Sequence, residues 1–88
     1  MDQREVVLYT RSRSLYCWRL RRLLRRRGYA VEVIDTTYDA ELRSWLARCA
    51  GRDKVPYVFV DHRPVGGFGE TMALERSGVL EQLVRGEV

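Results

Sequence analysis

Residues 6–17 read VVLYTRSRSLYC, and this stretch sets the architecture. It begins with a run of β-branched and aromatic residues, Val6–Thr10, which predicts a strand buried on both faces. A polar loop follows, and from Leu15 to Arg27 apolar residues recur at helical spacing. Ser14 comes just before this helix, where its side-chain oxygen can cap the first free N–H groups. The chain therefore opens with a strand, a short polar loop and a capped helix.

Periodicity predicts the remaining elements by the same reasoning. They are strand Tyr29–Asp35, helix Ala40–Ala50 ended by Gly51, strand Tyr57–Val60, a strand stub Val65–Gly66 and helix Glu70–Val84. A helix between two strands implies a right-handed parallel crossover, and the tight connection Asp61–Pro64 implies an antiparallel hairpin. The prediction is one α/β domain over residues 1–88, ordered β-α-β-α-β-β-α, with a four-stranded mixed sheet flanked by helices.

The composition indicates an ordinary globular protein, with 45% hydrophobic and 32% charged residues and a net charge of +4. The positive charge is concentrated in the first helix, at Arg19, Arg21, Arg22, Arg25, Arg26 and Arg27. Because leucines interrupt these arginines at helical spacing, we interpret them as a solvated helix face and do not expect nucleic-acid binding. A docking surface for an acidic protein is the alternative.

The location and metal content follow from what the chain contains. No apolar run is long enough for a membrane span, and the polar start, Met1–Glu5, predicts no secretory signal. We therefore expect a cytoplasmic protein whose two cysteines, Cys17 and Cys49, are reduced. Cys49 shares an apolar helix stripe with Leu42 and Leu46, which predicts core packing. With a single histidine and no close cysteine pair, we expect no metal.

Three motifs resemble those of the glutaredoxin family. Residues 9–17, YTRSRSLYC, are similar to Y-T-K-x-x-C-P-Y-C; residues 55–61, VPYVFVD, to T-V-P-x-I-F-I-D; and residues 65–74, VGGFGETMAL, to I-G-G-x-D-D-L-x-A-L. The motifs occur in family order and at family separations, so the resemblance extends over about residues 5–85. It implies a thioredoxin-like fold and a glutaredoxin-type thiol–disulfide oxidoreductase that uses glutathione as co-substrate, on disulfide or glutathionylated proteins, as a monomer.

The catalytic positions implied by the resemblance are Ser14 and Cys17. Ser14 stands where the family has its first cysteine, and a hydroxyl cannot form a disulfide, so we expect impaired activity. Serine here is compatible with a natural residue or with a replacement of cysteine or selenocysteine. Cys17 matches the second cysteine of the motif, and its alternatives are a redox thiol or a small buried hydrophobe.

The resemblance also implies a glutathione groove. Its predicted residues are Arg11, Tyr16, Lys54, Val55, Pro56, Gly67, Phe68, Gly69 and Glu70. Arg11 would pair with the glycyl carboxylate, and the glycine-rich helix start would take the γ-glutamyl carboxylate. The Val55–Pro56 bond would be cis, with the Val55 backbone facing the groove. The alternatives are a plain glycine turn and solvated charges.

Two other functions stay open at this level. The first is a non-catalytic glutathione- or thiol-binding module that has lost its nucleophile. The second is an iron–sulfur scaffold that uses Cys17 across a dimer, although cluster-binding members of the family use the first cysteine together with glutathione.

Overall fold

The computed structural model describes residues 3–51 and 55–87. The elements are β1 (Val6–Thr10), α1 (Leu15–Arg26), β2 (Val31–Asp35), α2 (Ala40–Ala50), β3 (Tyr57–Val60), β4 (Arg63–Gly66), α3 (Phe68–Ser77) and α4 (Val79–Arg85). The strands form one sheet in the order β2-β1-β3-β4. β1 and β2 are parallel, while the pairs β1–β3 and β3–β4 are antiparallel. The predicted thioredoxin-like α/β architecture is confirmed.

The core lies on both faces of the sheet. On one face, side chains of β1, α1, β3 and α4 form a cluster that includes Val6, Leu8, Leu20, Leu24, Val58, Leu80 and Val84. On the other face, Tyr9, Tyr57 and Phe59 pack with Leu46 of α2. Because β1 contributes to both clusters, the prediction that this strand is buried on both faces is confirmed. None of the helices described here is long and apolar enough to cross a membrane.

The hairpin between β3 and β4 is tighter than predicted. Asp61 and His62 both have left-handed backbone conformations, with φ of 54° and 65°. Such a pair suits a two-residue turn between antiparallel strands, so the chain reverses within these residues. Arg63 and Pro64, which were predicted to belong to the connection, are already part of β4, where Pro64 lies opposite Phe59 at the edge of the sheet.

The last predicted helix, Glu70–Val84, is wrong as a single element. Gly78 has φ of 84°, which ends α3 and starts α4. This left-handed conformation is one that glycine adopts readily, and it interrupts the helix while Leu80 and Val84 still reach the core. The helix also begins earlier than predicted, at Phe68, so that Gly67 is its N-cap and Gly69 is helical.

The prediction that Cys49 packs in the core is also wrong. Leu46 is fully buried, but Cys49 is exposed and Trp45 is 37% exposed. In the described part of the chain, α2 is the single helix on its face of the sheet. No second described helix packs beside it, so only the residues at the centre of the stripe that faces the sheet, such as Leu46, are buried. Cys49 lies near its C-terminal end and stays open to solvent.

Candidate active site

Ser14 forms the N-cap of α1, as predicted. Its backbone is extended, with φ −101° and ψ 118°, and its Oγ accepts a hydrogen bond of 3.3 Å from the backbone N–H of Cys17. The first turn of α1 contains no acidic residue, and Arg11 and Arg13 are exposed in the preceding loop. The partial positive charge of a helix start and two nearby guanidinium groups favour an anion at position 14.

Cys17 lies in the first turn of α1 and faces inward. Only 4% of it is exposed, and it shares the buried face of the helix with Leu20 and Leu24. Both cysteines are free. The position at the helix start thus has a hydroxyl within reach of solvent, whereas the thiol in the same turn is shielded, as the buried-hydrophobe interpretation predicts.

A cavity of about 630 Å³ opens beside Ser14 and Cys17. Its described lining consists of the loop after β1, the start of α1 and the end of β2, and includes Arg11, Trp18, Arg21 and Asp35. Arg11, Ser14 and Cys17 were all predicted as site residues, and the structure places them around this one cavity. Trp18, Arg21 and Asp35 were not predicted to be part of the site.

The loop between β1 and α1 is held in place from the neighbouring strand. The Ser12 backbone N–H donates a 2.7 Å hydrogen bond to Thr37 Oγ1, and the Thr37 hydroxyl and backbone N–H both donate to Asp35 Oδ1. The Thr36 hydroxyl donates to the Thr10 carbonyl oxygen at 2.9 Å. These bonds anchor the segment that presents Arg11 and Ser14.

The Asp35 carboxyl is the acceptor at the centre of that anchor. Hydrogen bonds from the Thr37 hydroxyl and then from its backbone N–H lower the pKa of Asp35 below the ordinary value. The sequence held a signal for this arrangement, because β1 and β2 are parallel and their C-terminal ends meet at one edge. The polar residues after each strand are therefore neighbours.

The remaining predicted groove residues form a second group, at the start of α3. The rings of Tyr16 and Phe68 lie 4.9 Å apart, centroid to centroid. The Val55–Pro56 bond is cis, as predicted, and the Pro56 carbonyl oxygen approaches Gly67 so closely that a Cβ there would lie 3.4 Å from it. The Glu70 carboxylate folds back and accepts a 2.9 Å hydrogen bond from the Gly67 N–H.

The predicted groove thus has two parts, joined at the start of α1, where Ser14 and Cys17 face the cavity and Tyr16 contacts Phe68. Among the described residues, Val55, Pro56 and residues 67–70 at the start of α3 do not line the cavity beside Ser14. Lys54 lies outside the described residues. The orientation of the Val55 backbone stays a prediction; its side chain is half-buried against the Tyr9–Phe59 cluster.

The described chain does not by itself offer an accessible thiolate to an iron–sulfur cluster at the start of α1. The accessible position at the helix start is a hydroxyl, and Cys17 is buried. Across residues 3–51 and 55–87, no three His, Cys, Asp or Glu side chains converge as metal ligands.

Comparison with known proteins gives the family. The glutaredoxin family model matches residues 6–65. The chain belongs to the glutaredoxin family. It is 40% identical over 79 residues to a glutaredoxin of Pseudomonas aeruginosa, a match that covers 90% of this chain and 94% of that protein. The family is one of thiol–disulfide oxidoreductases, so redox chemistry is its common activity.

Solved structures show the same fold. The solution structure of a glutaredoxin from Brucella melitensis superposes with a TM-score of 0.87 at 33% identity, covering 100% of this chain and 96% of that one. A buckwheat glutaredoxin–glutathione complex superposes with a TM-score of 0.83 at 23% identity, covering 90% and 74% of the two chains. In the present chain, the residue at the start of α1, beside the cavity, is Ser14.

Proposed function

We propose that this glutaredoxin binds glutathione and acts on disulfide or glutathionylated substrates. Its activity is impaired because Ser14 stands where the family has its attacking cysteine. The observation that carries the proposal is the geometry of α1: Ser14 and Cys17 both line the cavity, but Ser14 is partly exposed, whereas only 4% of Cys17 is exposed. A helix start preceded by Arg11 and Arg13, which line the same cavity, suits an attacking thiolate, but the residue at that start is a serine.

The reaction shows why oxygen in place of sulfur at position 14 matters. In disulfide exchange, a thiolate attacks one sulfur of a glutathionylated protein, a new S–S bond to glutathione forms, and the protein thiolate leaves and takes up a proton. A second glutathione thiolate then attacks the bound glutathione sulfur, which releases glutathione disulfide and regenerates the first thiolate. Ser14 cannot form the intermediate S–S bond, and Cys17, of which only 4% is exposed, is shielded from a substrate disulfide.

Two ends of the proposed glutathione site have suitable groups. Arg11 is exposed at the cavity, and a guanidinium can form a bidentate pair with a carboxylate. At the other end, the Phe68 and Gly69 N–H groups are first-turn donors of α3, which suit the second carboxylate. The buckwheat glutaredoxin solved with glutathione supports the choice of ligand.

Replacing Ser14 by cysteine tests the catalytic part of the proposal. We expect Ser14→Cys to raise the rate of glutathione-dependent reduction of a small mixed disulfide by orders of magnitude, because it supplies the missing nucleophile. The double variant Ser14→Cys with Cys17→Ser should keep activity on glutathionylated substrates, since only one thiol takes part. If the unmodified chain is already as fast as Ser14→Cys, Cys17 is the working nucleophile and the assigned roles are wrong.

A non-catalytic glutathione-binding module is the second candidate, and the hydroxyl at position 14 favours it. An NMR titration of the unmodified chain with glutathione separates binding from turnover. We expect shifts at millimolar ligand that cluster at Arg11, Val55 and Gly69. Shifts without turnover support a binding module; no clustered shifts would remove the glutathione site altogether.

A further inference from the structure

A groove between α1 and α3 adjoins the cavity at Ser14, and Trp18 lines both. It measures about 270 Å³, and we call it the arginine groove. Its lining residues are Trp18, Arg19, Arg22, Leu23, Arg26, Phe68 and Met72. The floor is apolar, formed by Leu23, Phe68 and Met72, and the arginines stand along the rim.

The rim is positively charged, and its arginines form no ion pair with any residue that the structure describes. Residues 15–26 contain five arginines and no acidic residue. In the described parts of the chain, no carboxylate lies within ion-pair distance of Arg19, Arg22 or Arg26; the nearby carboxylates of Glu75 and Glu81 pair with Arg27 instead. The rim therefore has its hydrogen-bonding capacity available for an outside anion.

Aromatic rings hold two of these guanidinium groups in position. The Arg19 Cζ lies 5.3 Å from the centroid of the Phe68 ring, and the Arg22 Cζ lies 5.4 Å from that of the Trp18 ring. Such cation–π contacts restrict where a guanidinium points while leaving its N–H groups free to donate. Trp18 is 55% exposed beside them, so apolar surface and charge are presented together.

We propose that the arginine groove binds an acidic protein segment that inserts one bulky apolar side chain between flanking carboxylates. The apolar floor accommodates the side chain, and the three rim arginines pair with the carboxylates. An acidic protein segment matches this surface better than a nucleic acid does, because the floor contains aliphatic Leu23 and Met72, and guanidinium groups already cover a face of each flanking ring. This binding does not depend on the chemistry at position 14.

A peptide titration tests the proposal on the unmodified protein. The probe is a synthetic peptide with a central phenylalanine flanked on each side by three glutamates or aspartates. We expect NMR shifts centred on the Trp18 indole and the Leu23 and Met72 methyl groups, and affinity that falls as salt rises. A peptide with serine in place of phenylalanine should bind more weakly, because it cannot fill the floor.

A pair of charge-matched variants locates the site. Arg22→Gln with Arg26→Gln should weaken peptide binding roughly tenfold, while Arg48→Gln with Arg63→Gln, which removes the same charge from exposed residues of α2 and β4, should leave it within about twofold. The folded state of each variant is checked by its NMR spectrum.

Three outcomes overturn the proposal. They are an equal loss of binding in both double variants, peptide shifts that avoid the groove, and tighter binding of a single-stranded oligonucleotide of the same net charge. The last result would assign the surface to nucleic acid. Peptide binding is measured without any disulfide exchange, so the test is valid even if Ser14 makes the protein inactive as an oxidoreductase.

Discussion

At the scale of single residues, two short polar side chains organise the site. Ser14 caps the helix that begins there, and Asp35 accepts hydrogen bonds from Thr37, whose hydroxyl accepts one from the Ser12 N–H in the loop leading into the helix. Under the proposed function, Ser14 limits which chemistry is possible, and Asp35 helps to hold the loop that leads to it. Neither role needs a buried charge, because both side chains are reached by solvent at the end of the sheet.

The acceptor role of Asp35 predicts a pH dependence. Its folded-state pKa is lowered, so its hydrogen bonds stabilise the protein above the ordinary aspartate pKa of about 3.9, and this stabilisation is lost as the pH falls through the folded value. We expect Asp35→Asn to be less stable than the parent at neutral pH, with the difference shrinking in acid. Urea unfolding across this pH range measures it.

Thr37→Val supplies the control for that titration. It removes the hydroxyl donor but keeps the backbone N–H donor, so the Asp35 pKa measured by NMR should move up towards the ordinary value. An unchanged Asp35 titration in Thr37→Val would contradict the assignment of the hydroxyl as the main cause.

At the scale of elements, two glycines at the start of α3 have different surroundings. Gly66 has φ of 148°, and a Cβ there would lie 2.5 Å from the Cβ of Glu70. Gly69 is in the first turn of the helix, and a Cβ there would meet nothing within 4 Å. The first position needs glycine for both conformation and space, whereas the structure of the free protein does not require glycine at the second.

Alanine substitutions should separate these glycines. Gly66→Ala is expected to cost about 1–3 kcal/mol of unfolding free energy, because it combines backbone strain with a clash. Gly69→Ala should be neutral or stabilise by up to about 1 kcal/mol, since alanine favours the helix. Urea unfolding measures both, and equal effects would show that the start of α3 is not constrained as described. If Gly69→Ala nevertheless weakens glutathione binding, the ligand approaches the backbone there.

At the scale of the whole molecule, stability depends on the cluster between α1 and the sheet. Leu24 is fully buried in it, while Leu15, on the same helix, is 62% exposed. We expect Leu24→Ala to lower the free energy of unfolding by about 2–5 kcal/mol, from lost burial and the cavity it leaves. Leu15→Ala should stay within about 0.5 kcal/mol. Thermal and urea unfolding compare the two, and similar losses would argue against this core.

Much of the architecture was predictable because local patterns and global packing agree. The buried strand Val6–Thr10, the cap at Ser14 and the inward stripe of α1 each follow from periodicity. Gly78 misled the prediction because the apolar pattern continues past it, and Leu80 still reaches the core after the break. The prediction for Cys49 failed because an apolar helical stripe does not show how far along the helix the sheet covers it.

The site was predictable only in part. Resemblance to the family predicted site residues at the N-terminal starts of α1 and α3, but it did not predict the hydrogen bonds between Asp35 and Thr37. The hydrogen bond from the Ser12 N–H to Thr37 Oγ1, which joins this pair to the loop, depends on the parallel pairing of β1 and β2, because that pairing brings residues 25 positions apart into contact. The ligand of the predicted groove is identified by titration with glutathione, because the sequence contains no information about the ligand itself.

The two outer strands also bear on how the protein behaves when concentrated. β4 includes Pro64, which has no N–H to donate, and the β3–β4 ladder is irregular between Val58 and Phe59. The opposite border, β2, has exposed carboxylates at Glu32 and Asp35. A further strand would meet a missing N–H donor at β4 or two exposed carboxylates at β2. The sheet is therefore protected against edge-to-edge aggregation.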